Sequence, residues 1–285
     1  MNSKSQQLNL MIHKSFEGID IKSFLMSFHL AKKTINQLLM GYVSINHERV
    51  HENFILHEND RVTLDFSFRS TTDNIKPICH EVIDIVYEDH DLLIVNKPDK
   101  LLVYDDTLNK DNLTSRVACY MDKQNHPFSV LPAHRLDEDT SGMIIFAKHP
   151  LSLAYMSYLF ESRQIDKQYR TLVLGPLAKE KMTISKPIGR DRHQNRMRVS
   201  TTGVEAITHY QVISQGGQHT RLNVWIEGGR KHQIRVHMSS IGHPIVGDFL
   251  YGGIHANRLM LHFYQVSFIH PMTRQSVSFV SPENF

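Results

Sequence analysis

The sequence has few of the features that mark secreted, membrane or disulfide-rich proteins. Its 285 residues include two cysteines, Cys79 and Cys119, which cannot form a disulfide framework and show no C-x-x-C spacing. No apolar run approaches the roughly 18 residues needed to span a bilayer. The N-terminal apolar stretch, Leu8–Ile12, is too short for a secretory signal. We therefore expect two reduced packing thiols in a cytoplasmic protein that does not associate with membranes.

Composition and charge narrow the function only slightly. The net charge of +3 and the pI near 8.7 permit an anionic partner without requiring one. Among 19 histidines, His232 and His237 are five positions apart, so on a helix they would not face each other as metal ligands. We find no internal repeat and no low-complexity tract, and we predict no metal site.

Residues 14–66 have the pattern of a small unit with its own core. Asp20 is placed to cap a helix, and a second helix begins near Lys32 and Lys33 and ends at Gly41. Two strands follow, near Tyr42–Asn46 and Arg61–Phe66. This order resembles the S4-type RNA-binding domain, in which the second helix presents basic residues to RNA. The resemblance implies that Lys32 and Lys33 contact RNA, while a solvated helix face is the alternative.

The centre of the chain carries a dense cluster of polar residues, His134–Asp139, directly before the apolar run Met143–Ala147. The run predicts a buried strand, and unpaired charge is costly to bury at such a place. The cluster therefore indicates either a loop that fixes a reactive carboxylate in a cleft or a solvated turn with a surface ion pair. A glycosidase pair of Asp137 and Asp139 is disfavoured, because residues two apart lie too close to span a sugar.

Several motifs extend this cluster into a family resemblance that runs from about residue 82 to the C-terminus. His134-Arg135-Leu136-Asp137 with Thr140-Ser141-Gly142 resembles the RluA/RluD class of RNA pseudouridine synthases. The further motifs occur in the family order: Tyr87-Glu88-Asp89 with Leu93–Pro98, Lys167-x-Tyr169, Gly229–His237, Gly242–Asp248 and Tyr251-Gly252. One stretch departs from the family, since Asp99–Tyr104 stands where a glycine and then a histidine are common.

The resemblance implies a role for each catalytic motif residue. Asp137 would attack either the sugar or the base of a uridine, and Arg235 would pair with Asp137 to keep it ionised. Tyr169 would stack on the target base and take part in proton transfer. Ile234 or Val236 would supply an apolar pocket wall. No metal or organic cofactor is implied.

Basic residues outside the catalytic set are the expected RNA contacts. Arg135 would fill the gap left when the uridine leaves its stack, because enzymes that act on a base must extrude it. The stretch Ile188–Val199 is the most basic of the chain, and its arginines indicate either a solvated loop or phosphate contact. The full set of predicted RNA-binding residues is Arg135, His134, Lys32, Lys33, Arg190, Arg192, Arg196, Arg198 and Arg230.

Together these observations predict an α+β protein in four parts. They are a flexible tail (1–12), an S4-like α/β domain (13–68), a linker (69–81) and a catalytic domain with a mixed, mostly antiparallel sheet and flanking helices (82–285). The predicted function is isomerisation of uridines in structured RNA, with ribosomal RNA favoured over transfer RNA and no obligate protein partner. The alternatives are a non-catalytic RNA-binding or chaperone protein and a nucleoside N-glycosidase.

Overall fold

A computed structural model of the chain describes residues 6–69, 75–79, 81–105 and 110–285. Its elements confirm the predicted α+β class, with a four-stranded, a ten-stranded and a two-stranded β-sheet and short helices in the described residues. Within these described ranges, no helix is both long enough and apolar enough to cross a membrane.

The N-terminal part folds as two helices against a four-stranded sheet with strand order β1-β4-β2-β3. The Asp20 carboxylate accepts a hydrogen bond from the Ser23 amide at 2.8 Å and caps the first helix, as its position predicted. The elements of this part are β1 (Gln7–Met11), α1 (Ile21–Met26), α2 (Lys32–Leu39), β2 (Val43–Ile45), β3 (Glu48–Arg49) and β4 (Arg61–Asp65).

The predicted flexible tail is wrong for the residues that the structure describes. Residues 7–11 form β1, which pairs antiparallel with β4 at the edge of the small sheet. Leu8, Leu10 and Ile12 are buried, whereas Asn9 and Met11 are exposed. This two-residue alternation is the signature of a half-buried strand, and it was present in the sequence. Residues 1–5 lie outside the described ranges.

The two cysteines are also placed differently from the prediction. Cys79 and Cys119 form a disulfide across 40 positions of sequence, with their Cα atoms 5.4 Å apart. The bond ties the described end of the linker to helix α3 (Leu113–Lys123), where Ile78 also donates its amide to the Ser115 carbonyl. Spacing along the chain did not show this proximity, because the fold brings the two segments together. The cysteines therefore give no support to a reducing compartment.

The larger part is built on a ten-stranded sheet whose pairs are antiparallel except for β15 with β8. Its main order is β10-β13-β14-β9-β15-β8-β6-β5, with β16 paired to β15 and β7 paired to β8. The strands are β5 (Asp84–Glu88), β6 (Leu92–Lys97), β7 (Leu131–Pro132), β8 (Ser141–Ala147), β9 (Asp166–Leu174), β10 (Lys181–Ser185), β13 (Ile207–Gly216), β14 (His219–Glu227), β15 (Leu261–Ile269) and β16 (Ser276–Val280).

The remaining elements of this part are two helices and a hairpin. The residue pattern predicts helices over 113–121, 151–163 and 231–240. Helix α3 and the helices α4 (Pro150–Glu161) and α5 (Gln233–Ser240) agree with this within a few residues at their ends. The hairpin of β11 (Ile188–Arg190) and β12 (Met197–Val199) forms from the arginine-rich stretch.

The two parts pack together around one arginine. The Arg274 guanidinium lies over the rings of Phe16, Phe28 and Tyr155, at 5.1, 4.9 and 4.2 Å from their centroids. It also donates to the Ser27 carbonyl at 3.0 Å. Since Tyr155 lies on α4 and the phenylalanines lie in the N-terminal part, this cation–π cluster joins both parts in one continuous core.

Candidate active site

Asp137 lies in a tight loop at the entrance to the central strand β8. All seven residues of β8 are buried, and the Thr140 amide donates to the Asp137 carbonyl at 3.1 Å to close the loop. Gly142 has a φ of +120°, and a Cβ atom there would lie 2.5 Å from the backbone of Phe263 on β15. Only glycine permits this close approach, so the pairing of β8 with β15 fixes where the loop ends and the strand begins.

A buried lysine, Lys97, binds the backbone of the same loop. Lys97 is fully buried, and its ammonium donates to the carbonyls of Glu138, Leu101 and Pro98 at 2.7–2.9 Å. Burial lowers the pKa of Lys97 to about 8, against the opposing influence of the nearby carboxylates. The lysine belongs to the Leu93–Pro98 motif, but its contact with the Asp137 loop could not be predicted from that motif.

Tyr169 projects from β9 next to Asp137. Its ring stacks on Phe263 with centroids 4.8 Å apart, and only 8% of the residue is exposed. Burial, helped by the negative charge of Asp137, raises the pKa of Tyr169 above its usual range. The phenol is therefore protonated at neutral pH, where its hydroxyl can donate a hydrogen bond.

Arg235, in the first turn of α5, does not form the predicted ion pair with Asp137. Its guanidinium makes a bidentate pair with Asp248, with both N–O distances at 2.8 Å, and lies 3.8 Å from Asp139. Both Arg235 and Asp248 are almost fully buried. The fork geometry satisfies the arginine through Asp248, so its charge acts on Asp137 across the cleft rather than by direct contact.

The basic side chain nearest to the Asp137 carboxylate is His232, which was not predicted from the sequence as a site residue. Its Nε2 lies 3.8 Å from the Asp137 carboxylate, and its Nδ1 is 2.9 Å from the Tyr251 hydroxyl. The residue has a left-handed φ of 56° directly before α5. Burial lowers the pKa of His232, although Asp137 opposes this shift. Its place inside the Gly229–His237 motif was the available signal.

Asp137, Tyr169 and Arg235 line one cleft of about 310 Å³, which we call the uridine-sized pocket. Ile234 forms part of its wall, as predicted, while Val236 packs in a separate cluster with Ile188 and Tyr251. Residues from the loop before β8, from β9 and from α5 thus converge on one small space.

A larger groove of about 780 Å³, which we call the outer groove, adjoins this pocket and shares Asp137 with it. Arg135 stands at the boundary, exposed, and donates to the Tyr104 hydroxyl at 3.0 Å. Its position agrees with a residue that can contact RNA.

His134 has contacts that give it a structural role in place of the predicted RNA contact. Its Nε2 accepts a hydrogen bond from the Ile145 amide at 3.1 Å, and its ring packs on Phe160 and Phe263. Burial lowers the pKa of His134 to about 3, so the ring is neutral. The histidine therefore anchors the Asp137 loop to β8.

The other predicted RNA contacts are exposed but dispersed. Arg190, Arg192 and Arg198 lie exposed on the β11–β12 hairpin, while Arg196 donates to the Leu250 carbonyl at 3.2 Å and joins the hairpin to the outer groove. Arg230 lines the uridine-sized pocket. Lys32 and Lys33 are exposed in the first turn of α2.

Two groups of residues have the spacing of metal ligands within the described ranges: His90, Asp91 and His149, and Asp89, Asp91 and His270. In both His149 and His270, Nδ1 accepts backbone amide hydrogen bonds and Nε2 lies 2.7–2.8 Å from a carboxylate. Each Nε2 must therefore carry the ring proton, and no lone pair is left for a metal. Hydrogen-bonded pairs explain this cluster better than a metal site.

Comparison with known proteins places this geometry in a family. Residues 91–240 match the family model described as RNA pseudouridylate synthase. A Bacillus subtilis protein called the uncharacterized RNA pseudouridine synthase YhcT is 36% identical over 99% of this chain and 95% of its own length. The ribosomal large subunit pseudouridine synthase D of Vibrio cholerae is 33% identical over 70% of this chain and 67% of its own length.

The fold agrees with a solved relative. The structure of human RNA pseudouridylate synthase domain containing 1 superposes with a TM-score of 0.61 and 27% identity, and it covers 73% of this chain and 86% of that one. The sequence match, the fold and the convergence of motif residues on one pocket have a single explanation. The chain belongs to the RNA pseudouridine synthase family, in its RluA/RluD class, and is an enzyme of that kind.

Proposed function

We propose that this enzyme isomerises specific uridines of ribosomal RNA, with Asp137 as the nucleophile. The observation that carries the proposal is the shared pocket of Asp137, Tyr169 and Arg235. The reaction conserves all atoms. The bond from the sugar to N1 of the base breaks, the base turns, and a bond from the sugar to C5 forms. C5 loses a proton to solvent, and N1 gains one. The reaction needs no oxidant and no cofactor.

Three residues divide the work in this proposal. The Asp137 carboxylate attacks the sugar or the base and leaves again when the new bond has formed. Tyr169, buried and protonated, stacks on the base and carries the proton transfer. Arg235, held by Asp248, supplies a fixed positive charge that favours the ionised form of the nucleophile.

A uridine within RNA must leave its stack to reach this pocket. Arg135 is exposed at the pocket entrance, where its guanidinium can occupy the vacated space. The arginines of the β11–β12 hairpin supply further phosphate contacts. Ribosomal RNA is favoured as the substrate because the similar Vibrio cholerae protein is named for the large ribosomal subunit. A cytoplasmic location follows from that substrate.

We also propose that residues 13–68 act as an S4-like RNA-binding domain and that the chain divides at the linker 69–81. The helix pair on a separate four-stranded sheet supports this assignment, as does the exposure of Lys32 and Lys33. Lysine provides charge without the bidentate fork of arginine, so this domain would add affinity more than sequence selection.

The test compares Asp137→Asn with Glu138→Gln, an exposed neighbour in the same loop whose backbone, not its carboxylate, is bound by Lys97. Each protein is incubated with unmodified transcripts of ribosomal RNA, and pseudouridine is mapped by chemical modification and primer extension. We expect Asp137→Asn to lose at least about a thousandfold in rate and Glu138→Gln to stay near the wild-type rate. Full activity of Asp137→Asn would disprove the nucleophile, and release of free uracil would disprove isomerisation.

A further inference from the structure

The outer groove is more than twice as large as the uridine-sized pocket, at about 780 against about 310 Å³. Both spaces share Arg135, Leu136 and Asp137, so the groove begins where the pocket ends. The catalytic roles proposed above use only the smaller space. When a uridine is bound beside Tyr169, the outer groove remains accessible to the nucleotides that are linked to that uridine.

The rim of the outer groove carries large side chains that are exposed to solvent. Phe249 is 64% exposed, and Tyr104 is 40% exposed. Tyr104 is held in place by Arg135, whose guanidinium lies 5.4 Å from the ring centroid and donates to the hydroxyl. Tyr104 therefore lines the outer groove and contacts Arg135, which lines both spaces.

The groove also carries positive charges on several segments. Five of its lining residues carry fixed positive charges and three carry carboxylates, while Arg235 and Arg258 also have carboxylate partners outside that lining, Asp248 and Asp99. The carboxylates are consecutive, Asp137–Asp139, so they occupy one end, and Arg235 lies within 3.8 Å of Asp139. The positive residues are distributed over several segments: Lys100, Arg135, Lys231, Arg235 and Arg258. Exposed rings beside dispersed cations are the surface that binds single-stranded nucleic acid.

The loop that carries Tyr104 is held in a conformation that costs free energy. Lys100 has a φ of +60°, a region that residues other than glycine rarely adopt. Its ammonium donates to the Asn257 carbonyl at 3.1 Å, which ties the loop to the opposite side of the groove. Strained backbone persists where the surrounding structure fixes it, commonly at binding sites.

We propose that the outer groove binds a nucleotide adjacent to the target uridine, with its base stacked on Tyr104 and its phosphates near Lys100, Arg135 and Lys231. This inference rests on the proposed function, because it takes the smaller pocket as the place of the uridine. Tyr104 acts as a residue that positions and selects the RNA.

The test measures binding and stacking without turnover. The probes are oligouridylates of five nucleotides in which 2-aminopurine replaces the base on the 5′ or the 3′ side of the central uridine. The full chain carries Asp137→Asn throughout, and position 104 is tyrosine, Tyr104→Phe or Tyr104→Leu. Leucine keeps apolar bulk but has no ring face. We expect the 2-aminopurine fluorescence of one probe to be quenched by the proteins with tyrosine or phenylalanine and not by the protein with leucine. The dissociation constant of the leucine variant should be raised by about tenfold or more.

A second variant controls for a general effect of removing a tyrosine. Tyr120→Leu removes a partly buried tyrosine ring on α3 that lines neither the outer groove nor the uridine-sized pocket, and it should leave both quenching and affinity unchanged. Thermal melting verifies that each variant is folded.

Three results would overturn the inference. They are equal quenching by the leucine and tyrosine proteins, no binding of either probe, or a phenylalanine variant as weak as the leucine one, since the hydroxyl and not the ring would then carry the contact. Failure of the proposed function is separate, because it shows as absence of pseudouridine in ribosomal transcripts treated with the protein that retains Asp137. If the Asp137→Asn protein quenches a probe but the protein that retains Asp137 forms no pseudouridine, the proposed nucleotide subsite is supported and the proposed activity is disproved.

Discussion

Two clusters of carboxylates and basic side chains lie in the larger part of the molecule, and they are paired very differently. The scaffold cluster consists of Asp89, Asp91, His149 and His270, and its histidine–carboxylate distances are 2.7–2.8 Å. The cleft cluster consists of Asp137, Asp139, His232 and Arg235, and two pairs within it, His232 with Asp137 and Arg235 with Asp139, are each 3.8 Å apart.

The difference follows from what each cluster must do. In the scaffold cluster, burial would raise the pKa of Asp91, but the hydrogen bond from His149 and the His90 ring 3.9 Å away outweigh it and hold that pKa far below its usual range. Such closed pairs hold the β5–β6 turn, α4 and the β15–β16 turn together. Asp137 keeps its carboxylate partly exposed and without a close partner of this kind, so it can meet a substrate. A nucleophile that was fully hydrogen-bonded would first have to break those bonds.

The largest effect on the cleft cluster should come from Asp248→Asn. This change removes the carboxylate that holds Arg235 and leaves a buried guanidinium without its charge partner, so we expect a loss of about 3–5 kcal/mol in unfolding free energy. The rate should fall at least about tenfold at a temperature where the variant is folded, because the positive charge facing Asp137 is no longer fixed. Urea unfolding and the initial rate of pseudouridine formation measure the two effects.

Glu283→Gln is the matched control for that change. Glu283 is a buried carboxylate that pairs with Arg170 at 2.8 Å and does not line either space around Asp137. We expect it to lose stability and to keep the wild-type rate. An Asp248→Asn protein with an unchanged rate would show that the position of Arg235 does not matter to the reaction.

A smaller effect, confined to stability, is expected for His149→Asn in the scaffold cluster. Asparagine can still cap α4 by accepting the Ser152 amide, but it is too short to reach Asp91. The buried Asp91 carboxylate would lose its main donor, at a cost of about 2–3 kcal/mol. Urea unfolding should show the loss of stability. The rate of pseudouridine formation, measured at a temperature where the variant is folded, should match that of the wild type. A lowered rate in the folded variant would mean that the two clusters are coupled.

The smallest effect should appear in how stability depends on pH. Burial lowers the pKa of His149 in the folded chain, and it lowers that of His262 to about 4, whereas an unfolded histidine titrates near pH 6.5. Below about pH 6.5 the unfolded chain therefore binds more protons, and stability falls as the pH drops from about 6.5 toward 4. Replacing His149 with asparagine removes one such group, so the slope should become shallower by less than about 1.4 kcal/mol per pH unit.

Unfolding free energies measured from pH 7.5 to 4.5 check this slope. Two coincident slopes would show that His149 binds its proton equally well in the folded and unfolded chains. The carboxylates Asp89 and Asp91, whose pKa values are lowered in the folded chain, add a further loss of stability only below about pH 4, near the unfolded pKa of aspartate.

Much of the local structure was predictable from short stretches of sequence. The cap at Asp20, helices α3 and α4, and the buried strand after Asp137 were all predicted from residues within a few positions of one another. The alternation of Leu8, Leu10 and Ile12 held the same kind of information, and the predicted tail missed it. Local patterns are informative because a helix or a strand repeats its burial every few residues.

The candidate site was predictable only through its motifs. Asp137, Tyr169 and Arg235 lie in three separate stretches, and the motif resemblance selected them without showing how they are arranged. The structure paired Arg235 with Asp248 and brought His232 toward Asp137. It also turned His134 inward, against Phe160.

By itself, the sequence determined the α+β class, most of the elements, and the three motif residues that now line one pocket. Only the tertiary structure decided which charges pair, that Cys79 and Cys119 are joined across 40 positions, and that Tyr104 faces Arg135. The physical reason is range. Propensity and periodicity act over a few neighbouring residues, whereas pairing depends on which distant segments the packed core brings within about 4 Å.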